Sequence, residues 1–200
     1  MDRVNRLYMV RHGQVVGYDG FPVYGHTDVE MTDVGVMQME KLAERLRLVN
    51  ISAIYSSDLK RSLLGAQIIA RYHDAPLHAL RELREMHFGD WEGLTLAEIR
   101  ERFPDELEKR KTDLLNYQNP GEGESIERLS ARVMNYFKSI LEDQAGNDIL
   151  LVGHGAVNRV ILCHALDLDL NRMFKIHQDY GCLNIIDYFA DTTLVRMMNG

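Results

Sequence analysis

A short apolar run ending in a histidine and a glycine occurs twice in this chain. The copies are Val10-Arg11-His12-Gly13 and Val152-Gly153-His154-Gly155. In an open α/β sheet, ligands bind beyond the carboxyl ends of the strands, where strand order reverses. Two strands far apart in sequence would each deliver a histidine there. A glycine after each one would let backbone approach a ligand closely. Two imidazoles and a guanidinium on one small volume suit an anion, and the chemistry they indicate is phosphate handling.

A neutral imidazole nitrogen is a competent nucleophile towards phosphorus, and it divides one hard displacement into two easier ones. For His12 to act so, one ring nitrogen must be unprotonated and the other N–H held by an acceptor, commonly a backbone carbonyl. Fixed cations must then surround the transferring oxygens. Arg11 supplies one set of donors. Arg61, in Ser56-Ser57-Asp58-Leu59-Lys60-Arg61, falls in the first turn of a helix after the second strand, where its fork fits phosphate. His154, protonated, would add a full positive charge, and Gly155 at a helix N-terminus would add backbone N–H groups and the helix dipole. Displacing an alkoxide also needs a proton donor. Glu85 precedes an aromatic-rich turn, Phe88-Gly89-Asp90-Trp91, whose partial burial would favour the protonated carboxyl a general acid needs. Glu82 and Glu92 are alternatives on spacing alone.

The elements that must position these groups alternate. Residues 6–11, 51–56, 76–80, 148–153 and 182–189 read as strands, with 192–198 an edge strand. Thr32 can cap a helix with Val36, Met39, Ala43 and Leu46 on one face. Ser57 or Asp58 can cap the next, with Leu59, Leu63, Ala66 and Ile69 inward. Ser125 starts the longest, striped by Ile126, Leu129, Val133, Phe137 and Ile140, and Gly155 opens a short apolar helix to about Leu166. Strands separated by helices imply an α/β three-layer sandwich, a mostly parallel sheet of about six strands with helices on both faces. Two stretches interrupt the alternation. Residues 14–31 form a long loop rich in glycine and aromatic residues, and 95–122 a charged helical pair broken at Pro104. Such insertions in a compact domain usually serve as lids or binding loops.

With 200 residues, 46% hydrophobic and 26% charged, the chain is expected to fold as one domain, 1–200, with both insertions near the site. A formal charge of −7 argues against nucleic acid and anionic membrane as partners. A polar N-terminus without a signal peptide and the absence of any bilayer-length apolar run point to a cytoplasmic protein. Cys163 and Cys182, without metal or redox spacing, read as reduced buried thiols. The expected partner is a small-molecule phosphomonoester, and the sequence is compatible with a homodimer.

Further stretches extend the pattern in order. They are Gly25-His26-Thr27-Asp28 through Thr32-Asp33-Val34-Gly35, Leu83-Arg84-Glu85-Met86 through Trp91-Glu92-Gly93, and Gly123-Glu124-Ser125 through Arg132-Val133. With the two histidine motifs and the Arg61 segment, the chain resembles the histidine phosphatase superfamily, also called the phosphoglycerate-mutase-like fold, and within it the small phosphatase branch that includes alpha-ribazole phosphatase. The resemblance implies that His12 is phosphorylated, that Arg11, Arg61 and His154 hold the phosphate, that Glu85 is the proton donor, and that neither metal nor organic cofactor is required. It makes alpha-ribazole 5′-phosphate a candidate substrate. Where the family commonly reads Arg-His-Gly-Glu-Thr-x-x-Asn, this chain has Gln14, Val15 and Tyr18. Tyr18, Tyr24 and Thr27 are candidate contacts to the substrate, and Phe21, Tyr24 and Trp91 candidate stacking surfaces for a flat base. The alternatives are a mutase-type phosphotransferase and a non-catalytic phospholigand-binding scaffold.

Overall fold

The computed structural model of the chain describes residues 2–20 and 22–200. Six strands, β1 (Asn5–Arg11), β2 (Ala53–Ser57), β3 (Leu77–Leu80), β4 (Asp148–Gly153), β5 (Leu183–Tyr188) and β6 (Thr193–Met197), form one sheet in the order β3-β2-β4-β1-β5-β6. The pairs β2·β3, β2·β4 and β1·β4 are parallel, whereas β5 runs antiparallel to both β1 and β6. The sheet is therefore mixed, and mostly parallel across its centre.

Period-two side-chain alternation sorts the central strands between two cores. Tyr8 and Val10 of β1 and Leu150 and Val152 of β4 face α1 (Asp33–Leu46) and α2 (Lys60–Ala70). Leu7, Met9, Ile149 and Leu151 face α5 (Ile126–Asp143) and α6 (Gly155–Ala165). Both central strands are apolar on each face because each face is covered by helix, which is what continuous apolar runs in parallel strands signify. The α/β sandwich expected from the sequence is the observed fold. Both cysteines are buried and free, and among the described residues no helix is long and apolar enough to cross a membrane.

Thr32 and Ser125 cap α1 and α5 as expected, their hydroxyls accepting from Gly35 N–H and Arg128 N–H. The start of α2 differs. Its N-cap is Leu59, without a side-chain bond, and the Lys60 N–H donates to Asp28 Oδ1 from the 14–31 loop at 2.8 Å. Ser57 and Asp58, the expected caps, are taken by stronger partners: His154 for Ser57 and Arg84 for Asp58.

The 14–31 loop is closed at its neck, where Val15 bridges Met31, and fastened further out, where Pro22 bridges Thr95 and the Val23 N–H donates to Leu94. The second insertion comprises α3 (Leu96–Arg102) and α4 (Pro104–Thr112), broken at Pro104. Trp91 anchors it, buried against Tyr117 and Phe103 with ring centroids 5.8 and 6.5 Å away. That burial removes Trp91 from the candidate stacking surfaces, and Phe21 lies outside the described residues.

Candidate active site

The register Val10↔Val152 and Arg11↔Gly153 between β1 and β4 sets the site. The ladder runs one step past β1, with the His12 N–H donating to the Gly153 carbonyl at 3.1 Å. Two chain positions far apart in sequence thus bring the imidazoles of His12 and His154 to 5.1 Å between ring centroids. They lie at the carboxyl edge of the parallel strands, beside a cavity of about 80 Å³ lined by Arg11, His12, Val15, Pro22, Tyr24, Arg61, Glu85 and Tyr180.

His12 is buried, and its Nδ1 lies 2.8 Å from the Gly13 carbonyl oxygen. A carbonyl can only accept, so Nδ1 carries the proton and Nε2 its lone pair. Burial, then the charges of Arg61 and Arg11, holds the ring neutral well below the usual histidine range. His154 is fully buried, with Nε2 2.6 Å from Ser57 Oγ. Burial and the cations Arg61 and Arg11, with His12 beside it, push it the same way. Burial first, and then the neighbouring arginines, thus work against the positive charge that a protonated His154 would have added.

Arg11 donates from Nη1 to the Gln178 carbonyl at 2.6 Å, and its guanidinium lies 4.0 Å from the Tyr180 ring centroid. Arg61 is buried to 1% exposure, its two terminal nitrogens donating to Thr27 O (2.8 Å) and Gly25 O (2.7 Å). Burial lowers its affinity for a proton, and the carboxylates of Glu85, Asp28 and Glu92 oppose that effect. The buried Arg11 Nε and His154 Nδ1 have no partner among the described residues. Buried polar atoms are normally satisfied, and two unsatisfied ones beside a cationic cavity suit an anion.

Glu85 lines the same cavity, held by the Met86 N–H (2.9 Å) and by the Ala156 N–H at 3.1 Å from each carboxyl oxygen. The acceptor at the N-terminus of α6 is thus the chain's own Glu85 carboxyl group, where the sequence suggested phosphate. The backbone at Gly155 still belongs to the site, since a Cβ there would lie 3.6 Å from both Arg11 Nε and Glu85 Oε2. Gly13 serves a different close approach. A Cβ on it would meet the Gly35 carbonyl oxygen at 2.2 Å, so it admits α1 and not a ligand.

Of the other candidates, Tyr24 lines the cavity. Tyr18 is exposed outside the lining, and Val15 occupies the wall on that loop. The Thr27 hydroxyl donates to Glu92. Glu92 itself accepts from His26, Thr27 and Phe88 N–H groups, which holds its carboxyl below the usual range and makes it a strut. Tyr180 was not singled out by the sequence, and Ser57 only as a helix cap. Tyr180 tilts over His12 at 5.6 Å, where the antiparallel β5 begins. That direction was its signal: a strand reversed against its neighbours starts at their carboxyl edge.

The chain is similar to known proteins over nearly its whole length. The sequence profile of the histidine phosphatase superfamily (branch 1) matches residues 7–200. Phosphoglycerate mutase-like protein 4 of Arabidopsis thaliana is 37% identical over 156 residues, which cover 76% of this chain and 67% of the relative. The adenosylcobalamin/alpha-ribazole phosphatase of Escherichia coli K12 is 27% identical over 197 residues, 97% of this chain and 95% of the relative. The crystal structure of the alpha-ribazole phosphatase from Shigella flexneri superposes with a TM-score of 0.88 at 26% identity, over 98% of this chain and 96% of that one. A profile match over nearly the whole length, joined to this likeness in sequence and fold, places the chain in the histidine phosphatase superfamily, branch 1, as an enzyme of its phosphatase class.

Proposed function

We propose that the chain hydrolyses small phosphomonoesters through a phosphohistidine on His12. The observation that carries this reading is the 2.8 Å contact from His12 Nδ1 to Gly13 O, which leaves Nε2 as the nucleophilic nitrogen. The Nε2 lone pair attacks phosphorus and the P–O bond to the leaving group breaks, with Glu85 giving its proton to the departing alkoxide. Water then attacks the phosphohistidine, Glu85 takes a proton from it, and the P–N bond breaks to return the electron pair to Nε2 and free phosphate. Arg11, Arg61, His154 and the backbone at Gly155 surround the transferring oxygens, whose charge is spread in the transition state.

The finer substrate is alpha-ribazole 5′-phosphate, supported by the names of two similar proteins and by Tyr24 and Tyr180 in the cavity wall. The Arabidopsis relative's name sets a mutase reading beside it. The two differ in product, free phosphate against a phosphate-shifted isomer.

The test is phosphate release in excess EDTA across a panel including alpha-ribazole 5′-phosphate, phosphoserine, sugar phosphates and nucleotides, with His12→Ala alongside. Labelled substrate should leave an acid-labile, base-stable phosphoprotein that His12→Ala lacks. Turnover unchanged in His12→Ala would sink the covalent mechanism.

A further inference from the structure

Arg61 holds no carboxylate directly. Its two terminal nitrogens end on backbone carbonyls of Gly25 and Thr27, both in the 14–31 loop. The position of this guanidinium is therefore set by whatever fixes those two carbonyls. One side chain dominates: Glu92, from the segment that also carries Glu85. Its Oε1 accepts from the His26 N–H at 2.7 Å and the Phe88 N–H at 3.2 Å, and its Oε2 from the Thr27 N–H at 2.6 Å and the Thr27 hydroxyl. One carboxylate thus pins residues 26 and 27 to residue 88.

Two further contacts close the clamp. A Cβ on Gly25 would lie 2.2 Å from Met86 O and 2.5 Å from Glu92 Oε1, so the loop backbone is pressed onto the residue next to Glu85. The His26 ring stacks on His87 with centroids 4.6 Å apart and planes 28° apart. Glu92 also acts at longer range, as one of the three carboxylates that support the buried Arg61 charge.

We infer that Glu92 is the positioning residue for Arg61, setting the affinity of the cavity for the phosphoryl group through the Gly25 and Thr27 carbonyls. This rests on Arg61 holding that group. Four donors converge on one carboxylate, and an amide cannot replace it, because its NH₂ would face N–H groups that need an acceptor. Charge-assisted bonds of this kind contribute more than neutral ones. Losing them frees the loop to shift, and a buried arginine with displaced carbonyls no longer meets phosphate in register.

Competitive inhibition by inorganic phosphate tests this, because an inhibition constant does not depend on the fraction of active enzyme. Glu92→Gln should raise that constant about tenfold and raise KM in step. The ratio of kcat between aryl and alkyl phosphates, which reports Glu85, should stay as in the wild type. Arg61→Lys should raise the same constant, and Glu92→Gln added to Arg61→Lys should add little, the non-additivity expected of residues acting in series. An unchanged constant with lowered kcat would make Glu92 a stability element only and overturn the inference. A full tenfold rise added on top of Arg61→Lys would overturn it too. An unchanged constant in Arg61→Lys would remove the underlying phosphate-site reading as well. Should Glu92→Gln not fold, the exposed Thr27→Val, which deletes one of the four donors, must raise the constant in the same direction, and no rise there overturns the inference.

Discussion

Ser57 Oγ lies 2.6 Å from His154 Nε2, a contact that joins the end of β2 to the residue following its neighbour β4, at the start of α6. Both residues are fully buried. Ser57→Ala leaves a ring nitrogen buried without a partner, which costs about 1–3 kcal/mol. Urea denaturation should show that loss, and kcat/KM should fall with it as His154 loses its orientation. Stability within error of the wild type would mean that His154 is held by packing alone.

Gly13→Ala should destabilise the fold strongly. The added carbon would sit 2.2 Å from Gly35 O, and both partners are backbone, so neither can swing aside. Overpacking of this kind costs about 1–3 kcal/mol or more. A Tm equal to the wild type would show that β1 and α1 can part at no cost.

Glu85→Gln should separate leaving groups. Loss of general-acid help costs about 10²–10⁴-fold, and it should fall on alkyl phosphates, whose leaving oxygen needs the proton. A nitrophenyl phosphate should lose little. Equal losses on both would take Glu85 out of the acid role.

Stability should decline as pH falls below about 6.5, the ordinary histidine value. His12 and His154 are held neutral well below that pH, and His26, His73 and His164 shift the same way. Below it the unfolded chain binds protons that the folded chain does not, so protonation draws the equilibrium towards unfolding, by up to about tenfold per pH unit for each such histidine. Denaturation at pH 7.5 and 5.5 measures the slope. His12→Asn with His154→Asn should flatten it, and an unchanged slope in that variant would assign the effect to other groups.

Much of the fold was legible because its signals are local. Thr32 and Ser125 announce their helices, and the runs 6–11 and 148–153 are apolar on both faces because both faces are covered. The misread cap of α2 shows the limit. Ser57 and Asp58 are good capping residues, but His154 and Arg84 outbid the helix for them, and the N–H at Lys60 is served by Asp28 from a distant loop. Within the site, Arg11, His12 and Arg61 were candidates from type and position, Glu85 stood apart from Glu82 and Glu92 only through the family resemblance, and the structure gathers all four on one cavity. The neutrality of His154 was not legible, since it arises from burial beside charges contributed by other elements. Nor was the use of the α6 N-terminus by Glu85, which depends on a turn bringing residue 85 against residue 156.

The central strand β1 has both of its neighbours, β4 and β5, in the last third of the chain. During synthesis Leu7, Tyr8, Met9 and Val10 therefore emerge with neither edge paired and no sheet to join until residue 148 has left the ribosome. Contacts of such long sequence separation fold slowly and leave an apolar edge open to wrong partners. The strand that leads into His12 is thus made well before either of the two strands that enclose it. Residues 7–10 therefore keep both edges open to other partners for as long as residues 148–188 are still to come.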